Sequence, residues 1–240
     1  MDNPGYVGLT RMKGLDDEMR AVANNIANLS TTGFRAEGVV FAEVLEAARV
    51  DGGALAMAQP RAHFTDDRPG GLTMTGGTLD LAIEGAAYFQ VETPNGNRLT
   101  RAGAFARSPE GDVVDMQGNR LLDQGGAPVN IPAAAGAVRI AEDGTVSTAA
   151  GDPIAQIGLF DAVPETLARE DGVRFRADGA VDPAEGSRML QGYLESSNVN
   201  PVTELARMIE VQRAYETSKS FLDMEDQRMR EAVRTIGRVS

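Results

Sequence analysis

Residues 21–37 read AVANNIANLSTTGFRAE, an apolar rhythm broken by Asn24, Asn25 and Asn28 and closed by a small polar turn and a phenylalanine. Asparagine is a poor helix former, and burying its amide without partners costs free energy. Around this stretch, Met12, Leu15, Met19, Val22, Ile26 and Leu29 recur at alternating spacings of three and four. Such spacing is the seam of a helix that packs on another helix. A partner is predicted at the far end, where Leu205, Met208, Gln212, Tyr215, Lys219, Leu222, Asp226, Met229, Val233 and Ile236 keep the same alternation. Asn200 is placed to cap that second helix and Pro201 to open it. Over 201–237 it would run roughly 55 Å, which is long for a compact chain of this size.

The middle follows a different period. LDLAIEG, AYFQVET, NRLTRAG, GDVVDM and AVRIAEDG are short alternating or β-branched runs, separated by glycine turns such as PNGN (94–97), PEGD (109–112), MQGN (116–119) and EDGT (142–145). Strands at this spacing indicate an antiparallel domain and not βαβ units. A short helix is expected over FAEVLEAARV (41–50). The fold class expected is α+β: long N- and C-terminal helices pairing as a coiled-coil-like stalk, with a central antiparallel all-β domain. Residues 1–35 and 201–240 would form the helical core, 36–75 and 186–200 the transition segments, and 76–185 the β-rich outer domain.

Composition narrows the function. The chain has no cysteine, which removes disulfides, thiolate metal sites and a cysteine nucleophile. The whole net charge of −12 lies in residues 36–200, while both ends are neutral. Without a basic face there is no nucleic-acid footprint. No apolar run is long enough to span a bilayer, and MDNPGYVGLT lacks the basic and apolar regions of a cleavable signal peptide. Carboxylates are paired at Asp66–Asp67, Asp16–Glu18, Glu142–Asp143 and Glu170–Asp171, an arrangement a glycan hydrolase could use. Most lie beside Gly or Pro and read as solvated turn residues. His63 is the single histidine and has no second His or Cys with which to share a metal, so it reads as a linker residue. No GxSxG, HExxH or Walker motif is present. No catalytic residue, cofactor or metal is therefore expected.

A pair of helices that must fix its register does so with buried polar residues, at some cost in stability. Asn24, Asn25 and Asn28 are assigned to that role, with Gln212 and Arg213 opposite and with Ile26 and Tyr215 on the two seams. Fraying and capping of the first helix near Asn28 is the competing reading of the asparagines. Ser30, Thr31, Thr32 and Gly33 stop the helix, Phe34 anchors the exit, and Asn198, Asn200 and Pro201 form the entry to the second helix.

ANNIAN followed by STTGF, then LDLAIEG through LTRAGAF, then YLESSNVNPVTELARMIEVQRAYE together resemble the bacterial flagellar rod and hook proteins. The three blocks come in the family's order and frame the whole chain. Its length, opening MDNPGYVGLTR and ending FLDMEDQRMREAVRTIG are most similar to a proximal-rod member, with the distal-rod paralogue as the alternative. GAAYF (85–89) departs from the family's pattern of a Gly/Asp-containing turn before two phenylalanines. The resemblance implies a structural axial subunit of the basal body, in the periplasm-spanning rod, exported without a cleaved signal peptide. It would self-assemble helically through its terminal helices, transmit torque and perform no catalysis. The implied partners are further copies of the chain, other rod proteins and the flagellar type III export apparatus, with no membrane insertion. The alternative from another class is a secreted acidic β-domain glycan hydrolase or binding module.

Overall fold

The computed structural model describes residues 3–46 and 55–236, with side chains over 8–40 and 64–235. The chain divides into two compact units. One gathers residues 1–27, 36–66 and 200–240, and the other residues 28–35 and 67–199.

The first unit holds helix α1 (Asn3–Ala27), strands β1 (Glu37–Glu46) and β2 (Leu55–Thr65), and helix α2 (Pro201–Ile236). The helices run antiparallel. Gly8 of α1 meets Leu222 of α2, Glu18 meets Arg207, and Asn25 meets Glu204. Contact at Gly8 is so close that an added Cβ would come within 2.6 Å of Leu222 Cδ2. Gly14 and Ala21 of α1 are buried as well.

The face that α2 turns inward differs from the expected seam. Glu204, Val211 and Ser218 are buried, and Met208, Tyr215, Leu222 and Glu225 between and beyond them are half-buried. Leu205, Gln212, Lys219 and Asp226 lie one position further on and are exposed. Met208, Tyr215 and Leu222 of the expected seam do turn inward, while Glu204, Val211 and Ser218 take the places expected for Leu205, Gln212 and Lys219. The Ser218 hydroxyl is satisfied within its own helix by Ala214 O at 2.8 Å.

The short helix expected over 41–50 is not formed. Residues through Glu46 belong to β1, which pairs antiparallel with β2 from Glu37↔Thr65 to Glu46↔Leu55. Residues 47–50 lie outside the described residues. Val39, Val40 and Val44 are β-branched, and cross-strand pairing overrides the helix propensity of the alanines and glutamates around them. Pro60 sits where the register shifts at Val40/Phe41, a position where its missing N–H is tolerated.

The second unit is antiparallel β throughout. Its largest sheet has seven strands, in the order Leu167–Asp171, Arg174–Ala177, Gly96–Thr100, Phe89–Thr93, Arg120–Leu121, Val113–Val114 and Ala106–Arg107. A three-stranded sheet (Val138–Ile140, Thr145–Thr148, Pro153–Gln156) and three two-stranded ribbons complete it. Phe89 and Val91 point inward while Gln90 and Glu92 are only half-buried, the period-two pattern of a half-covered strand. Phe89 meets Phe105 edge-on at 5.2 Å, and Leu81, Val113, Leu121 and Val146 close around them. The Pro94–Asn95 turn joins the two central strands and is closed by Gly96 at φ +101°. In GAAYF, Gly85 takes φ +129° and Ala87 is fully buried.

Candidate functional site

Two polar centres stand out, one in each unit. In the helical unit Asn25 is 1% exposed. Its Oδ1 accepts from the Glu37 N–H at 2.8 Å, and its Nδ2 donates to the Glu37 carbonyl at 2.8 Å. The amide thus pairs with both backbone groups of one β1 residue, as a neighbouring strand would. The same Nδ2 reaches Glu204 Oε2 of α2 at 3.3 Å. One side chain on α1 therefore touches the start of β1 and the first turn of α2. Asn24 beside it is half-buried and donates to Glu37 Oε2 at 3.0 Å. Arg207 and Glu18 pair across the helices at 2.9 Å.

The remaining helix residues singled out from the sequence are placed as follows. Ile26 and Tyr215 are half-buried, while Gln212 and Arg213 are exposed. Asn200 Oδ1 accepts from the N–H groups of Val202 and Thr203 at 3.0 and 3.2 Å, and Pro201 is the first residue of α2.

The second centre lies in the β unit. Glu195 is 1% exposed, and its carboxylate bridges two buried guanidiniums. Oε1 is 2.8 Å from Arg35 Nη2 and accepts from the Gly70 N–H at 2.9 Å; Oε2 is 2.8 Å from Arg101 Nε. Arg101 spends its other donors on backbone carbonyls of Gly85, Ala87 and Ile83. Arg35 Nη1 donates to Arg68 O. Burial pulls the Arg35 guanidinium below its ordinary pKa, and the Glu195 charge works against that shift.

The turn after α1 is fastened at the same place. Asn28 Oδ1 accepts from the Thr31 hydroxyl at 3.0 Å. Thr32 is half-buried. Gly33, five residues past Asn28, is at φ +68° and donates its N–H to Glu195 O at 2.8 Å. It bends the exit and does not cap the helix, which has already ended at Ala27. A Cβ there would lie 2.4 Å from Ala102 N, so the chain can pass only as glycine. Phe34 is fully buried, with the Arg169 guanidinium 4.8 Å above its ring. Its carbonyl accepts from the Asn198 N–H at 3.3 Å, and the Asn198 amide donates to Arg68 O at 2.9 Å.

Sequence reading missed Arg35, Arg101, Glu195 and Glu204. Arg35, Arg101 and Glu195 are single charges among small or apolar neighbours, in TTGFR, LTRAG and YLESS, and that isolation was the available signal. The carboxylates weighed for hydrolysis are engaged otherwise. Glu170 pairs with Arg98, which holds its carboxyl below the usual range. Asp171 pairs with Arg174, and Asp143 caps the Thr145 N–H at 2.9 Å. The side chain of His63 lies outside the described residues. Among the described residues no group of three His, Cys, Asp or Glu could hold a metal ion, and no helix is long and apolar enough to cross a membrane.

Three regions match known families: residues 6–35 the flagella basal body rod protein, 82–148 the flagellar hook protein FlgE/F/G D1 domain, and 190–235 the flagellar basal body rod FlgEFG protein C-terminal. Each region supplies one member of the buried cluster: Arg35, Arg101 and Glu195. The chain is 37% identical over 246 residues to the flagellar basal-body rod protein FlgF of Caulobacter vibrioides, covering all of both chains. It is 32% identical over 236 residues to the FlgF of Rhizobium meliloti, covering 97% of each. With the FlgG of Bacillus subtilis it shares 30% over 258 residues, covering 95% of this chain and 97% of that one. The chain belongs to the flagellar basal-body rod protein family and within it is most like FlgF.

Proposed function

We propose that this structural rod subunit occupies the proximal part of the rod and self-assembles helically through its terminal helices. The observation that carries this reading is the exposed apolar surface of α2. Val202, Leu205, Ile209, Phe221, Met224, Met229 and Val233 are all close to half exposed or more. That much apolar surface along one helix is the mark of an interaction face. In this reading α1 and α2 pair in a coiled-coil-like manner and form the wall of the assembled tube. Asn25 sets register within one copy, while Gln212 and Arg213, being exposed, meet a neighbouring copy. Other rod proteins adjoin the ends, and the chain arrives through the type III export apparatus without a cleaved signal. A helix with Gly8, Gly14 and three asparagines near its end is weak alone, so in the dilute monomer the helical unit is open and folds on assembly.

Purified chain, followed by sedimentation and electron microscopy as concentration rises, should pass from monomer to helical filaments or tubes. Replacing Leu205 and Ile209 with Asp should abolish that transition while the β unit stays folded. A chain that stays monomeric at millimolar concentration, or an L205D/I209D variant that assembles as the parent does, would refute the reading.

A further inference from the structure

By its compact units, the chain passes from one to the other between residues 27 and 28, 35 and 36, 66 and 67, and 199 and 200. Three of these four crossings lie beside partners of the Glu195 cluster. Arg35 ends the segment that leaves, Arg68 and Gly70 follow the return, and Asn198 precedes the last departure. All are tied within the β unit. Glu195 holds Arg35 and the Gly70 N–H through one oxygen, while its backbone carbonyl holds the Gly33 N–H. Arg68 O accepts from both Arg35 and Asn198. Phe34 adds an apolar plug under Arg169, whose Nη2 donates to Arg35 O at 2.6 Å. Each of the partners just named belongs to the β unit.

We propose that the Glu195 carboxylate is a latch that makes residues 28–35 an integral part of the β unit, fastened there whether or not the helical unit has formed. The segment lies next to α1 in sequence, and sequence patterning assigned it to the helical end. Its tertiary bonds assign it to the other unit. The mobile part of an unassembled chain then stops at Ala27, and STTGFR enters the assembled structure already shaped.

The test uses the full chain, dilute, digested with trypsin and followed by mass spectrometry and amide hydrogen exchange. Arg20 is exposed on α1 and Arg35 is 4% exposed in the latch, so the two are internal comparators. Cleavage is expected after Arg20 and not after Arg35. The Gly33, Gly70 and Asn198 amides should exchange as slowly as those of Phe89–Thr93. In Glu195→Gln, cleavage after Arg35 and exchange at those three amides should rise by about a hundredfold or more, since removing one partner strands two buried guanidiniums. The Phe89–Thr93 amides should change far less. Should Glu195→Gln fail to fold, Glu195→Asp keeps the charge but is one methylene too short to reach both arginines, and an intermediate rise is expected. Rapid cutting after Arg35 in the parent chain would overturn the proposal. So would resistance in both variants equal to the parent's, or a rise at residues 28–35 matched by an equal rise throughout the β strands.

Discussion

Replacing Asn25 with alanine should weaken assembly by an amount that the geometry sets. The amide makes two 2.8 Å bonds with the Glu37 peptide and a longer one of 3.3 Å to the Glu204 carboxylate. Each of the first two contributes about 0.5–1.5 kcal/mol net, and a bond to a charged group contributes more, reduced here by its length. Their sum is about 3 kcal/mol. Alanine's better helix propensity returns roughly 0.6 kcal/mol, leaving about 2–3 kcal/mol. If the helical unit forms only on assembly, that loss appears in the critical concentration. At 1.4 kcal/mol per tenfold, it should rise by roughly 30- to 150-fold. Total and sedimented protein measured across a dilution series give the value directly. Asn24→Ala removes the bond to Glu37 Oε2, made on a half-buried side chain, and should move the critical concentration less than Asn25→Ala does. An Asn25→Ala chain within about threefold of the parent would refute the argument that this amide joins α1, β1 and α2 in the assembled state.

Two other substitutions probe the β unit. Gly33→Ala combines a left-handed backbone with a Cβ placed 2.4 Å from Ala102 N, and should cost about 2–4 kcal/mol. The melting temperature, read from near-ultraviolet circular dichroism, should fall by roughly 8–15 °C; a fall below roughly 2 °C would contradict the close approach. Burial raises the Tyr88 phenol above its ordinary pKa, with Asp67 adding to the shift. A raised folded-state value means that its contribution to stability is complete below the unfolded value of about 10 and is lost as pH climbs through the folded one. Tyr88→Phe should therefore remove the most alkaline limb of the tyrosinate absorbance titration, and an unchanged limb would show that Tyr88 is not held neutral.

The terminal helices and the turn-rich antiparallel middle were legible because period and glycine spacing are local signals. The inward face of α2 was legible only at Met208, Tyr215 and Leu222. Leu205 scores as seam and Glu204 does not, yet Glu204 is buried and accepts from Asn25 of α1, a bond that apolar periodicity cannot register. Strand β1 was misread for a related reason: its partner β2 lies beyond the residues that sequence patterning compares. The Arg35–Glu195–Arg101 cluster was the least visible. Each member is an isolated charge with no periodic company, and only the tertiary fold brings residues so far apart in sequence to one carboxylate.

That cluster also stands where many exported domains would carry a covalent staple. The chain has no cysteine, and a disulfide between its first and last β-unit segments would close nearly the whole unit into a ring. A ring cannot be drawn out to a single thread. Salt bridges from one carboxylate to two guanidiniums pin the same segments, dissolve when the chain is pulled straight, and form again without an oxidant or an isomerase. On the export route proposed above, the fastening has to be one that can be undone from either end and retied on arrival.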